Sequence, residues 1–416
     1  MHILKHGRLI HKKLLIILAV TLLWWIADFA LEFSFPTYLE GSGKSYLEIG
    51  ALLSIAAGAG ILIDLPIGSL SDKTSKRRLM VVGLTLAAIS SAMIFYSKGN
   101  IALAASFFVW GLAFQTWRVP RDAFFASQTD HFSRGQEYGL DMEVKYLGQS
   151  VGPLIGGFIL AYVGFHGIVG FYGMLLLLGI LILAVCLKEA DHSTLSAAIG
   201  SCKTASFVPS SLKELRAMGT FGLTLLFFAL MFTAWEQILL TFQPLFYGPD
   251  VLDMPPQLGG LLMASFSLPG IFLSYPSGKL ADRFGKKRVL TLGLLVMGVA
   301  LILFSSSQTV TDAFAFALLT SVGWVLSLPA LNGLIIDLAT DHTKGCVAGL
   351  WGLFMDLGFV CGPLVGGLVA QYSGVKSTFF LIGVLFLGST LLLCLRQQPA
   401  KLTHTMSAHP IKTPRK

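Results

Sequence analysis

DLPIGSLSDKTSKRR at residues 64–78 returns as SYPSGKLADRFGKKR at 274–288. Gly278 stands 210 positions after Gly68, and the same offset carries Trp25 onto Trp235, Gly50 onto Gly260, Gly60 onto Gly270, Pro66 onto Pro276, Asp72 onto Asp282 and Gly83 onto Gly293. It continues through Gly148 onto Gly358, Gly152 onto Gly362, Pro153 onto Pro363, Gly156 onto Gly366 and Gly157 onto Gly367. A gap-free register of this length is not a product of composition, and its period is too long for a solenoid. It describes two homologous halves.

The material between these marks is apolar. Of 416 residues, 54% are hydrophobic and 12% charged, with mean hydropathy +0.74. Ordinary soluble domains carry about twice that share of charge. A water-soluble fold could not hide so much apolar surface, and disordered chains are polar. Runs of spanning length lie near 14–39, 47–69, 79–97, 101–127, 138–163 and 167–187, then near 218–246, 257–278, 289–306, 312–339, 346–371 and 376–395. At about 20 apolar residues per span, the pattern predicts an all-α membrane protein of twelve transmembrane helices. The expected organisation is a six-helix bundle over 1–187, a polar cytoplasmic linker over 188–217, a second six-helix bundle over 218–396 and a basic, disordered tail over 397–416.

Orientation follows from the basic residues. With the N-terminus in the cytoplasm, only Lys44, Lys98 and Lys376 of 30 Lys and Arg residues fall in outer loops, which predicts cytoplasmic termini on a multi-pass protein of the plasma (inner) membrane. The same bias accounts for the net charge of +8, so no nucleic-acid partner is expected. The basic start followed by LLIILAVTLLWW has no small-x-small cleavage site and reads as an uncleaved first helix. The five cysteines form no C-x-x-C pair and no metal-ligand spacing, which predicts free thiols, no metal and no cofactor.

Gly68-x-x-x-Asp72-Lys73-x-Ser75-Lys76-Arg77-Arg78 and Gly278-x-x-x-Asp282-Arg283-x-Gly285-Lys286-Lys287-Arg288 resemble the loop signature of the major facilitator superfamily. The first copy departs from it at Ser75, where the pattern prefers glycine. Gly148-x-x-x-Gly152-Pro153-x-x-Gly156-Gly157 resembles that family's helix-5 antiporter motif, and Gly358 to Gly367, including Gly362, Pro363, Gly366 and Gly367, repeats it in helix 11. The resemblance implies a secondary transporter with two pseudo-symmetric bundles that open alternately to either side of the membrane. It implies an inner gate built from Gly68, Asp72, Lys73 and Arg78 and from Gly278, Asp282 and Arg283. Physically, the glycines allow close helix approach and the aspartates offer an anion to a helix end or an arginine. The basic run serves equally as an anchor on anionic headgroups. The glycine–proline runs read first as helix packing and kinking.

Charges inside spans mark sites of transport or of ion and proton binding. Asp28 and Glu32 are four residues apart in helix 1 and share a face with Trp25. Glu236 follows Trp235, the repeat mate of Trp25, and Asp356 lies near the middle of helix 11. Asp28, Glu32, Glu236 and Asp356 are the candidate proton and substrate carboxylates, with Asp28 and Glu236 expected to form a pair across a central cavity without a basic partner at that depth. Trp25 and Trp235 are the expected cavity walls. Lys145 either reaches the cavity or pairs with Asp141 one turn earlier. Arg121 is expected to pair with Asp72 at the inner gate, while Arg118 belongs to either gate or cavity. Phe107 occupies the place of the family's proton-relay arginine relative to Gly111.

No H-E-x-x-H, nucleophile elbow, Walker loop or Cys/His cluster is present, so the chain does not read as an enzyme. The expected function is proton-coupled export of a small cationic or amphipathic organic solute, by a chain acting as a single copy in the lipid bilayer. The alternatives are a proton-coupled uptake symporter for a polar metabolite and a non-transporting receptor on the same fold.

Overall fold

A computed structural model describes residues 12–97, 99–128, 134–187, 219–248, 251–338 and 344–396. The expected linker, the terminal tail and Lys98 lie outside the described residues. Twelve spanning elements form two six-helix bundles. The first holds α1 (Lys12–Gly41), α2 (Tyr46–Lys73), α3 (Lys76–Tyr96), α4 (Asn100–Gln128), α5 (Arg134–Tyr162) and α6 (Phe165–Cys186). The second holds α7 (Gly219–Phe242), α8 (Pro256–Phe284), α9 (Lys286–Ser305), α10 (Val310–Leu338), α11 (Lys344–Ser373) and α12 (Val375–Leu395). Among the described residues, ten are long and apolar enough to cross a membrane by length and composition. The remaining two, α4 and α5, carry Arg118, Arg121, Asp122, Asp141 and Lys145.

The repeat holds in packing as well as in sequence. Gly148, Gly152 and Gly156 recur every four residues along one face of α5, where added Cβ atoms would collide with Trp25, Ile26 and Ala30 of α1. Gly358, Gly362 and Gly366 likewise let α11 approach Thr233, Ala234 and Phe242 of α7. Without a hydrophobic drive between helices in lipid, such backbone proximity is what holds them together.

The other faces of the same two helices join the halves. Gly157 and Pro153 of α5 meet Pro256 and Gly260 of α8, and Gly367 and Pro363 of α11 meet Tyr46 and Gly50 of α2. Both contacts lie at the end of the molecule opposite the two repeated loops. At the loop end a Cβ on Gly68 or Gly278 would touch nothing, and Asp72, Lys73, Asp282 and Arg283 are exposed. Asp64 and Arg118, well inside their helices, are 27% and 39% exposed. The molecule is therefore sealed at one end and open at the loop end. Gly260→Leu is expected to wedge α8 off α5 and break the seal. A cysteine at Thr37, beside that seal, should then gain reactivity to an impermeant maleimide; unchanged labelling would show that the glycine contact does not close the path.

Two departures from strict symmetry have local causes. The eighth span breaks into Pro256–Ser265 and Leu268–Phe284. Pro269 stands where the repeat places Ala59, and it removes an amide donor and disfavours a helical residue before it. In the first loop, Thr74 and Ser75 are extended and the Ser75 hydroxyl accepts the Arg78 N–H at 3.2 Å, capping α3. In the second, Gly285 has φ of 96°, a conformation that favours glycine. The serine thus fits its loop because that loop closes by a side-chain cap.

Candidate functional site

The central site is assembled from α1, α5 and α7. Lys145 lies one turn before Gly148, so its side chain leaves α5 beside α1, with the ammonium 5.7 Å from the Trp25 ring centroid. It reaches across to the other half and donates to Glu236 Oε1 at 2.9 Å. The two side chains are 27% and 11% exposed. Glu32 sits within electrostatic range of Lys145, Glu236 and Asp28. Asp28 is buried inside the first bundle, beside Trp110 of α4 and Tyr172 of α6. Its Oδ1, the Trp110 Nε1 and the Tyr172 hydroxyl are buried side by side, none of them in a well-aligned hydrogen bond.

Glu236 and Glu32 therefore share one ammonium, with the buried Asp28 behind Glu32. A partnerless buried charge is costly, so the surplus negative charge calls for protons or a bound cation. Beside Glu236, a cavity of about 20 Å³ is lined by Trp235, Phe266, Trp324, Tyr146 and Gln149. That is room for a water, not an organic solute. The Lys145–Glu236 ion pair borders this cavity.

This geometry corrects several expectations. Glu236 has a basic partner. Asp28 and Glu236 do not face each other, because Asp28 turns into its own bundle and Lys145 occupies the approach to Glu236. Nor does Lys145 pair with Asp141. The Asp141 carboxylate accepts instead from Arg121, which also holds Asp122 and donates from Nε to Thr21 Oγ1 at 3.2 Å. Arg121 and Asp141 are both nearly buried, so this guanidinium ties α4, α5 and α1 together rather than reaching Asp72. Asp72 is exposed and makes no ion pair among the described residues. Trp25 and Trp235 lie where expected, against Lys145 and beside Glu236. Arg78 is exposed on the first loop.

Asp356 belongs to a second group nearer the loop end. Arg118 lies 3.6 Å from Asp64 and donates to Gln115 at 2.7 Å, and Asp356 of α11 feels both charges from the opposite half. The reading of the sequence missed Asp64, although the signal was there: an aspartate two residues before Pro66 in an otherwise apolar span. Among the described residues no cluster of His, Cys, Asp and Glu has a metal-binding arrangement.

The sequence profile of the Major Facilitator Superfamily matches residues 14–259 and 247–414. The chain belongs to the major facilitator superfamily. That family is one of multi-pass membrane transporters and not of enzymes. A tetracycline resistance protein, class G, from Vibrio anguillarum is 26% identical over 335 residues, covering 79% of this chain and 82% of that protein. The quinolone resistance protein NorA of Staphylococcus aureus is 29% identical over 126 residues, 30% of this chain and about a third (32%) of the relative's length. Among solved structures, a bacterial homologue of the human lysosomal transporter Spinster, in an inward-facing and unoccupied conformation, matches with TM-score 0.74 at 15% identity, covering 93% of this chain and 98% of that one. The nucleoside transporter NupG matches with TM-score 0.72 at 14% identity, covering 96% and 100%. These likenesses show the fold.

Proposed function

We propose that this transporter exports a small cationic, partly aromatic solute in exchange for protons. The observation that carries the reading is the charge balance between the halves: Asp28, Glu32 and Glu236 against the single ammonium of Lys145, flanked by Trp25, Trp235 and Trp324. Carboxylates among aromatic faces suit an amphipathic cation. The same carboxylates suit protons, and a site that takes one ligand or the other couples the two fluxes through one alternating equilibrium. Relatives named for resistance to quinolones and tetracycline support export, since a transporter confers resistance most simply by moving the compound out.

In this reading the loop end is cytoplasmic, which the distribution of Lys and Arg supports, and the open state receives solute from inside. Asp72 and Asp282 with their basic neighbours, and Arg118 between Asp64 and Asp356, close that end in the other state. The test uses tetraphenylphosphonium, a permanent lipophilic cation. Everted membrane vesicles with an acidified lumen should accumulate it, and a protonophore should release it. Accumulation only in right-side-out vesicles would instead support uptake, and none in either orientation would remove the cation reading.

A further inference from the structure

The site contains one more working part than export requires, a fixed cation aimed at the carboxylate that a substrate cation would use. We propose that Lys145 is a tethered competitor that changes partners, holding Glu236 in the empty protein and moving to Glu32 when a substrate cation takes Glu236. This deepens the export reading and rests on it.

Three observations converge. The Lys145–Glu236 bond joins two halves that must move relative to each other, and it fills the place beside the aromatic cavity. The second partner is at hand, because Glu32 on α1 lies within electrostatic range of the same ammonium and of the buried Asp28. The surroundings leave the ammonium no third choice. From its own helix it meets Tyr146 and Asp141, but Asp141 is held by Arg121. The α8 and α10 neighbours lining the cavity, Phe266, Thr320, Ser321 and Trp324, are uncharged. Trp25 flanks the ammonium with a ring face that offers attraction without trapping it.

The exchange balances. In the empty state Asp28 and Glu32 both keep their protons while Lys145 neutralises Glu236. A substrate cation displaces the ammonium from Glu236. The ammonium then pairs with Glu32, whose O–H bond breaks as its proton passes to water at the open loop end. One cation enters the site and one proton leaves it, so the coupling is set by a side chain that touches both.

Tetraphenylphosphonium binding to the purified full-length protein, followed by calorimetry in two buffers of different ionisation enthalpy, reads both affinity and protons released. Wild type should release close to one proton per cation bound. Asp28→Asn with Glu32→Gln, in the protein that keeps Lys145, should release almost none, because the proton that leaves is the α1 proton. Lys145→Gln should bind about tenfold or more tightly at alkaline pH, where neither ammonium nor proton competes for Glu236. The proton it releases at lower pH comes from Glu236 itself, which takes one up when the ammonium is gone, so adding Asp28→Asn with Glu32→Gln should leave that release unchanged. Lys145→Arg should behave as wild type. Proton release that survives loss of the α1 carboxyls while Lys145 is present, or weaker binding by Lys145→Gln at alkaline pH, overturns the exchange while leaving cation export standing. Failure of both wild type and Lys145→Gln to bind removes the export reading and the exchange with it. Binding by Lys145→Gln alone is the extreme form of the competition proposed.

Discussion

Glu236→Gln is expected to end accumulation of a lipophilic cation against its gradient, while the protein still folds and inserts. The substitution keeps size and shape and removes the charge on the α7 side of the central site. The resulting loss has two sources. The cation has no counter-charge in a site whose other walls are Trp235, Phe266 and Trp324. Lys145 meanwhile loses its partner across the halves and has only Glu32 of α1 left, which locks the charge arrangement that substrate binding should create. Folding should survive because Lys145 is 27% exposed and Glu32 is in range. Transport in proteoliposomes under an imposed pH gradient measures the effect. Wild-type accumulation by this variant would place the cation site elsewhere, with Asp356 and Asp64 at the second cluster next in line.

Asp141→Leu is expected to produce the largest loss of stability of any single change in the first bundle. Arg121 and Asp141 have side chains 7% and 9% exposed. Removing one member of a buried ion pair leaves the other charge uncompensated, at a cost of about 3–5 kcal/mol. Asp122, 49% exposed, is a partial substitute only. The thermal unfolding midpoint in detergent should fall well below that of wild type. The double change Arg121→Leu with Asp141→Leu should recover much of the loss, because both charges then leave together. A single variant as stable as wild type would mean that Asp122 and Thr21 suffice to hold the guanidinium.

The fold was legible because its signals are redundant. Apolar runs of spanning length, the register of 210 residues and the glycine spacing on helices 5 and 11 all point to the same two bundles. The broken eighth span was legible too, in Pro269 set against Ala59, but only if the repeat is read for its exceptions. The site was half legible. Intramembrane carboxylates announce themselves by their cost in lipid, which is why Asp28, Glu32, Glu236 and Asp356 stood out. Their partners do not. Lys145 and Glu236 are 91 residues apart and on different halves, so no helical spacing relates them. Asp28 turns inward through contacts with Trp110 and Tyr172, from two other helices. The repeat itself misleads here, since it sets Arg118 and Arg121 against Leu328 and Leu331, and Lys145 against Met355. The charges sit where the symmetry of the fold is broken.

The central claim is that α1 carries the proton and α7 the cation. Its most direct test loads proteoliposomes with tetraphenylphosphonium and a pH-sensitive dye, and follows internal pH as the cation leaves down its gradient. Wild type should acidify the lumen as protons enter in exchange. The double variant Asp28→Asn with Glu32→Gln should exchange labelled for unlabelled cation across the membrane yet move no protons. Acidification by that double variant at the wild-type ratio of protons to cation would contradict the account.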